Sequence, residues 1–319
     1  MFNLWKIAFN AFRESLREPV YFLMLLAALL LIAHYPSASI FVFSEQLKLV
    51  VDSSMATALL FGLVVAVLCS SHTVSREMRN GTVLLLMSKP VQRWSFVLGK
   101  IFGIGLAATL FVSVCNFATF ISVFIATDQF RFEMALYFTM LLLLVAGCAA
   151  GMLANYLRGS SFPEVATWSV AVLIPLFAVY CYLTGEHPSL SLRDLTRALL
   201  LVNFAVLTMS TFAVVFATRL DVVPNLCVCT AVFFAGLVSS FLFQRTTDSE
   251  VLNAICACFY AIFPNWQFFW LADAVAVKRH IPNSYVIYAA LYCAIYIVLG
   301  ATWAVATFQN KELAGDSRN

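Results

Sequence analysis

The chain has 319 residues, of which 62% are hydrophobic and only 11% are charged, and its formal net charge is +3. A soluble domain is about 45–50% apolar and about 25% charged, so one folded core cannot bury this much apolar surface. The composition excludes an ordinary soluble protein, and the small net charge without a basic run excludes a nucleic-acid partner.

The first predicted element is an amphipathic helix over residues 1–18. Two stripes recur at helical spacing of three and four residues. The apolar stripe is Phe2, Trp5, Phe9, Phe12 and Leu16, and the polar stripe is Asn3, Lys6, Asn10, Arg13 and Arg17. This pattern is typical of a helix that lies in a membrane interface. A cleaved signal peptide fits less well, because Glu14 and Glu18 would fall in its basic first region.

Eight later stretches are long and apolar enough to cross a bilayer, which takes about 20 residues. They are residues 20–43, 54–74, 95–126, 133–157, 162–184, 196–218, 223–243 and 285–308. The sequence therefore predicts an all-α, polytopic integral membrane protein with about 6–8 transmembrane helices.

The basic residues between these stretches predict the orientation. With the N-terminus in the cytoplasm, the cytoplasmic segments hold 12 Lys and Arg residues and the outer segments hold 7. Cytoplasmic segments are enriched in Lys and Arg, so we expect both termini in the cytoplasm. The expected location is the plasma membrane, which is the inner membrane in a bacterium.

The segment between the second and third stretches carries the most information. It reads "EMRNGTVLLLMSKPVQRWSFVLGK" from Glu77 to Lys100, with turn signals at Asn80-Gly81 and at Lys89-Pro90 around a short apolar run. Two interpretations stay open from these residues alone. The segment is either an amphipathic element that docks in a groove of a partner, or a basic loop that sets the topology.

This segment resembles the coupling segment of ABC type 2 permeases, the exporter-class membrane subunits of ATP-binding-cassette transporters. The matching residues are Glu77, Gly81, Thr82, Leu85, Leu86, Ser88, Lys89, Pro90, Val91, Arg93, Gly99 and Lys100. Met87 departs from the pattern. In addition, "AFNAFRESLREPVY" resembles the amphipathic elbow of these permeases and "PNWQFFWLADAV" their last outer segment. Such permeases usually have six spans, so the eight stretches depart from the family within 133–243.

The resemblance implies a permease subunit that forms a translocation path and is not itself an enzyme. A separate ABC ATPase subunit would bind ATP, and a second permease copy, identical or different, would complete the channel. The implied ATPase-coupling residues are Glu77, Arg79, Gly81, Thr82, Leu86, Pro90 and Arg93. The chain has no G-x-x-x-x-G-K-[ST] phosphate loop, so no cofactor is expected in this chain itself.

These expectations divide the chain into six consecutive regions. They are an interfacial helix (1–18), the first two transmembrane helices (19–74), a cytoplasmic coupling segment with a coupling helix (75–94), further transmembrane helices (95–243), an extracytoplasmic segment (244–283), and the last transmembrane helix with a cytoplasmic tail (284–319). The apolar part of 244–283 is too short to cross twice. It is either re-entrant or flat at the outer surface, with Trp266 and Trp270 as an aromatic belt.

Small and polar residues inside the spans suggest further roles. Thr109, Ser113, Asn116 and Thr119 share one face of the third span, either for hydrogen bonds between helices or as a weakly polar wall of a transport path. Gly147 and Gly151 form a G-x-x-x-G pattern that favours a close helix contact, within the chain or across a dimer. The G-x-G-x-x-A match at 103–108 lies inside an apolar helix and indicates small-residue packing.

No set of Cys, His or acidic residues has metal-ligand or catalytic spacing, so no metal site is predicted. Two other functional classes remain alternatives: an ATP-independent secondary transporter, and a membrane-embedded enzyme or scaffold. The apolar spans are equally compatible with a lipid, peptide, drug or polysaccharide cargo.

The topology is testable with single cysteines at Asn80 and Thr247 in a background without reactive thiols. An impermeant maleimide is expected to label Thr247→Cys in intact cells, and Asn80→Cys only after permeabilisation, because the basic asymmetry places residue 80 inside. Labelling of Asn80→Cys in intact cells would contradict the orientation.

Overall fold

A computed structural model describes residues 2–40, 42, 45–79, 93–126, 132–185, 188–243 and 263–309, with isolated positions between 251 and 260. The helices of this described part are α1 (Phe2–Arg17), α2 (Pro19–Ser39), α3 (Gln46–Ser70), α4 (Arg76–Arg79), α5 (Arg93–Ile125), α6 (Met134–Arg158), α7 (Phe162–Thr184), α8 (Leu192–Ala217), α9 (Val222–Phe243), α10 (Ala272–Ala276) and α11 (Asn283–Gln309). A π-helical turn, Ser71–Ser75, joins α3 to α4, and a 3-10 turn, Trp266–Phe269, precedes α10.

Eight of these helices are long and apolar enough to span a membrane: α2, α3 with its π-helical turn, α5, α6, α7, α8, α9 and α11. The predicted all-α, multi-pass architecture is therefore confirmed, with eight helices of spanning length in the described part of the chain.

The main difference from the predicted boundaries lies at the start of α3, which begins at Gln46 rather than at residue 54. Lys48 and Asp52 lower the apolar character of the first two turns. These turns do not depend on lipid, because residues 275–278 lie beside them across a shared pocket. Protein contact thus accommodates polar residues that a hydropathy pattern excludes from a span.

The helices differ greatly in how much protein surrounds them. In α8, 18 of 26 residues are buried, whereas in α6 only 4 of 25 are. Helix α8 lies at the centre with α3 and α5, and the poorly buried helices α6, α9 and α11 are peripheral. Their outer faces carry exposed apolar side chains that suit contact with lipid or another subunit.

Buried hydrogen bonds join the helices. The Tyr21 hydroxyl donates to the Ala107 carbonyl at 2.8 Å, and the Ser122 hydroxyl donates to the Ile32 carbonyl at 2.9 Å. These two bonds hold α2 against α5 at two different depths. Such side-chain donors contribute to helix association in membranes, where a lone polar group is costly.

Helix α1 has three faces rather than the two that its stripes predicted. The exposed aromatic side chains of Trp5 and Phe9 face away from the bundle, whereas Ala8, Ala11 and Ser15 are buried against it. A Cβ atom at Gly103 of α5 would lie only 2.3 Å from the Ala8 carbonyl oxygen. The backbones of α1 and α5 are therefore in direct contact at small residues, and this contact holds α1 against the bundle.

The contacts between connecting segments place them at two ends of the bundle. Arg76 pairs with Glu18 at 3.4 Å, the Ser75 hydroxyl donates to the Leu220 carbonyl at 2.7 Å, and Arg219 donates to the Thr307 carbonyl at 2.7 Å. Helix α1 and the end of α11 therefore lie at one end, which we call the α1 end. The opposite end, where α8 begins, is called the far end.

Gly103→Ala is expected to destabilise the protein, because the new Cβ would collide with the backbone of α1. Overpacking of this kind costs about 1–3 kcal/mol. Gly105→Ala is the matched control, since its nearest neighbour is the flexible Leu207 side chain at 3.0 Å. Thermal unfolding in detergent measures both variants. Equal midpoints for the two would show that the α1 contact is not tight.

Candidate functional site

A buried lysine lies where three elements meet at the α1 end. The Lys100 ammonium of α5 donates to Glu77 Oε1 of α4 at 2.8 Å and to Glu14 Oε2 of α1 at 3.3 Å. Its side chain is only 5% exposed. A buried charge is tolerated only when it is paired, so these carboxylates fix the positions of α1 and α4 relative to α5. We call these three residues the Lys100 centre.

The two carboxylates of the Lys100 centre are not equivalent. Glu77 is closer to the ammonium and less exposed than Glu14, with 23% against 40% of the side chain accessible. Burial raises the pKa of Glu14 above its ordinary value, although Lys100 acts in the opposite direction. The Glu77–Lys100 pair is therefore the principal contact, and Glu14 is the weaker partner.

Surface ion pairs surround this centre. The guanidinium groups of Arg13 and Arg17 each bond the Glu164 carboxylate at 2.7 Å, and so connect α1 to the start of α7. Both arginine side chains are about half exposed, so each pair contributes only about 0–1 kcal/mol. They orient α1 across the α1 end, whereas the buried Lys100 contact holds it to the bundle.

The π-helical turn is attached on its other side to the connection between α8 and α9. The Ser75 hydroxyl donates to the carbonyls of Ala217 at 3.0 Å and Leu220 at 2.7 Å. The Asn225 amide donates to the Ser71 hydroxyl at 2.8 Å. The residues that lead into the predicted coupling segment thus contact α8 and α9 as well as α5.

The predicted coupling residues fall partly within this site. Glu77 belongs to the Lys100 centre, Arg79 ends α4 and Arg93 begins α5. Gly81, Thr82, Leu86 and Pro90 lie outside the described residues. Contact of Glu77 with a partner protein stays a prediction, and within the chain its carboxylate accepts a hydrogen bond from Lys100.

Sequence reasoning did not predict this pairing of Glu77. One signal was available. Lys100 is the last charged residue before the uncharged run from Ile101 to Thr127, where a cation needs a partner.

A second candidate site is a cavity of about 410 Å³ between α5, α7 and α8. Its lining is mostly apolar: Ser113, Asn116, Phe117, Phe120, Ala178, Val179, Tyr182, Thr196, Leu199, Leu200 and Asn203. Of the predicted polar stripe, Ser113 and Asn116 line this cavity. Thr109 is not part of the lining, and the Thr119 hydroxyl donates to the Cys115 carbonyl of its own helix.

The polar residues of the cavity also connect α5 to α8. The Asn116 side-chain amide donates to the Leu199 carbonyl at 2.9 Å, and the Ser113 hydroxyl donates to Asn203 Oδ1 at 3.3 Å. The two interpretations of the polar stripe therefore apply to the same two residues. Ser113 and Asn116 form hydrogen bonds between helices and also line the cavity.

Gly147 and Gly151 lie against the neighbouring helix of the same chain. Cβ atoms at these positions would lie 2.5 Å from a Val170 methyl group and 2.8 Å from the Ala166 methyl group of α7. The structure thus places this G-x-x-x-G pattern at the α6–α7 contact.

The segment before α11 enters the bundle from the far end. Trp266 is 2% exposed, and the Pro264 carbonyl and the Trp266 ring both abut Gly236 of α9. Gly236 lies seven residues before the end of α9, at a depth of about 10 Å. The Trp266 ring is therefore buried against α9, beside Gly236 and Phe233, and is not exposed as an aromatic anchor.

The fold defines a multi-pass helical membrane protein, with an amphipathic helix attached to its third span and a cavity within the spans. The family model for ABC-2 family transporter proteins matches residues 5–181, just over half of the chain. The chain belongs to this family, as the resemblance implied. A comparison with curated proteins gave no match. Family membership supports the role of a membrane permease subunit of an ABC transporter, which typically is not catalytic itself.

Glu77 and Lys100 are expected to be strongly coupled in their contributions to the free energy of unfolding. Glu77→Gln should destabilise the protein by about 1–3 kcal/mol, because it leaves a buried cation with only Glu14. In the double variant with Lys100→Met the cost should be smaller than the sum of the single costs, with a coupling of about 0.5–3 kcal/mol. Thermal unfolding of the four proteins measures the cycle.

Glu18→Gln is the matched control for this cycle, since Glu18 pairs with the exposed Arg76. It should change the free energy of unfolding by less than about 1 kcal/mol. Additive effects of Glu77→Gln and Lys100→Met would show that the pair is not a structural unit.

Proposed function

We propose that the chain is the permease subunit of an ABC exporter, driven by a separate ATPase subunit that docks at the α1 end. The observation that carries this proposal is the Lys100 centre. It lies within the region that matches the family, and Glu77 and Lys100 are the two ends of the segment that resembles the coupling segment. In this arrangement the α1 end faces the cytoplasm, and the chain resides in the plasma membrane, the inner membrane of a bacterium.

The contacts at this end give a physical route for coupling. A partner that moves the 75–94 segment pulls on Glu77, and the ion pair passes the displacement to α5. The Ser75 hydrogen bonds pass it to the end of α8 through the Ala217 carbonyl, and to the connection between α8 and α9 through the Leu220 carbonyl. Helices α5 and α8 are two of the three central helices, so movement of the segment reaches the centre of the bundle directly.

The division of roles within the segment follows from the same contacts. Glu77 is engaged by Lys100, so it acts as the internal anchor of the segment. The partner then contacts the remaining residues, with Leu86 supplying apolar contact and Arg79 and Arg93 supplying charge. Gly81 and Pro90 serve as the turn residues that bracket the segment.

The complete exporter contains a second permease copy, identical or different, and the partner ATPase binds the ATP. The apolar faces of α6, α9 and α11 are available for lipid and for the second copy. The cavity beside Ser113 and Asn116 is the part of the described spans that suits contact with cargo.

Leu86→Glu and Gly81→Val are expected to reduce binding of an ABC ATPase encoded near this gene. A charge in an apolar contact and a Cβ at a turn glycine both disturb docking, and loss of a buried interface contact costs about 2–5 kcal/mol. Co-purification and nucleotide hydrolysis of the complex measure the effect. Glu77→Arg should reduce both coupling and thermal stability, because it also repels Lys100.

Gln92→Glu is the matched control, since it adds the same charge as Leu86→Glu within the same segment but outside the apolar run. It should bind the ATPase normally. If Leu86→Glu and Gly81→Val also bind and support hydrolysis like the wild type, the 75–94 segment is only a basic loop that sets topology.

A further inference from the structure

The cavity between α5, α7 and α8 continues into a second compartment at the far end. We call the first cavity the lower compartment and the second, at the far end, the upper compartment. The upper compartment has a volume of about 520 Å³, and both compartments are lined by Phe120, Tyr182 and Thr196. Asn203, at the deepest part of the lower compartment, lies 11 residues into α8, or about 17 Å from its start. The joined groove therefore spans about half of a hydrocarbon core of about 30 Å.

The lower compartment is uncharged and opens sideways. No charged residue is among the described residues that line it. Its mouth carries apolar side chains that are exposed on the membrane-facing surface, with Val179 53% and Leu200 42% accessible. A cavity of about 410 Å³ is at the lower end of the range of ligand pockets, which suits a single hydrocarbon chain entering from the lipid.

A buried acceptor in this compartment lacks a donor. Asn116 is 9% exposed, and no described residue donates to its Oδ1 atom. The orientation of the amide is fixed, because its Nδ2 atom donates to the Leu199 carbonyl. An unpaired buried acceptor is costly, and a small movement of the lining would let a hydrogen-bond donor of an occupant reach this atom.

The upper compartment, unlike the lower one, is lined by a charged side chain. It is lined by Arg193 and Ser191 together with Pro188 and Leu192. The carboxylate beside them, Asp194, is already engaged by Arg197 at 3.0 Å. Arg193 is exposed to this compartment, where a guanidinium suits a phosphate or carboxylate group.

We propose that this groove binds an anionic, single-chain lipid whose chain occupies the lower compartment. The anionic group lies at Arg193, and a hydroxyl group near the head of the lipid donates to Asn116. The lower compartment is the cavity assigned to cargo above, so this inference deepens the proposed permease function and rests on it. Binding itself requires neither the ATPase nor the transport cycle. The assignment of the groove to the outer leaflet rests on the orientation proposed above.

The test uses the full chain in nanodiscs of neutral phosphatidylcholine. The probe is a lysophosphatidic acid with a diazirine in its acyl chain, and a monoacylglycerol with the same chain is the neutral comparison. After photolysis, mass spectrometry is expected to place the cross-links on α5, α7 and α8. The anionic probe should label the wild type more strongly than the neutral probe.

Two variants and their matched controls separate the two compartments. Val179→Trp covers the mouth and should lower labelling by about tenfold, whereas Val172→Trp, seven residues earlier on the same exposed face of α7, should not. Arg193→Gln should weaken labelling by the anionic probe about tenfold, to the level of the neutral probe. Arg279→Gln, which removes another exposed cation at the far end, should leave it unchanged.

Equal labelling of Val179→Trp and Val172→Trp would overturn the cavity as the binding site. Equal labelling of Arg193→Gln and Arg279→Gln would overturn the anionic lipid as its occupant. Leu200→Trp, at the same mouth, repeats the first test if Val179→Trp does not fold. Because no nucleotide or ATPase is present, failure here is distinct from failure of the proposed permease function.

Discussion

Helices surrounded by lipid gain little from apolar contact with each other, because lipid chains offer the same contact. Their association depends instead on close backbone approach and on hydrogen bonds that have no alternative partner. Gly103 lets the backbone of α1 lie directly on α5. A Cβ atom at Gly62 of α3 would lie 2.6 Å from a Val112 methyl group of α5, and the Tyr21 hydroxyl of α2 donates to a carbonyl of α5. The arrangement of the bundle follows from where these small and polar residues lie.

Charge at the α1 end adds specificity to these contacts. Replacing a buried ion pair by apolar residues often leaves stability unchanged, so such pairs are weak sources of stability by themselves. Lys100 instead selects one arrangement, in which α1, α4 and α5 converge on a single ammonium group. The same residue connects the surface helix α1 to the central helix α5.

Hydropathy predicted the eight spans because a bilayer imposes one length on every crossing helix. It placed the start of α3 too late, since Lys48 and Asp52 lower the hydropathy of the first turns, which lie beside residues 275–278. The small-residue face of α1 also escaped prediction, because alanine and serine give little hydrophobic signal beside Trp5 and Phe9.

The functional sites were predictable only in part. The resemblance pointed to Glu77 and Lys100, and helical spacing pointed to Ser113 and Asn116. The pairing of Glu77 with Lys100 across the chain depends on three-dimensional proximity that spacing does not encode. Trp266 likewise reads as an interfacial aromatic, whereas its position is set by the space beside Gly236.

The π-helical turn at Ser71–Ser75 changes the direction, around the helix axis, in which the side chains that follow it point. A turn with i to i+5 bonding holds one residue more than an α-helical turn, and each residue of an α-helix advances about 100° around the axis. Glu77 therefore points to a different side from the one that an unbroken α3 would give it. Removing one residue from this turn would rotate the Glu77 carboxylate away from Lys100, even though the sequence on both sides of the turn would be unchanged.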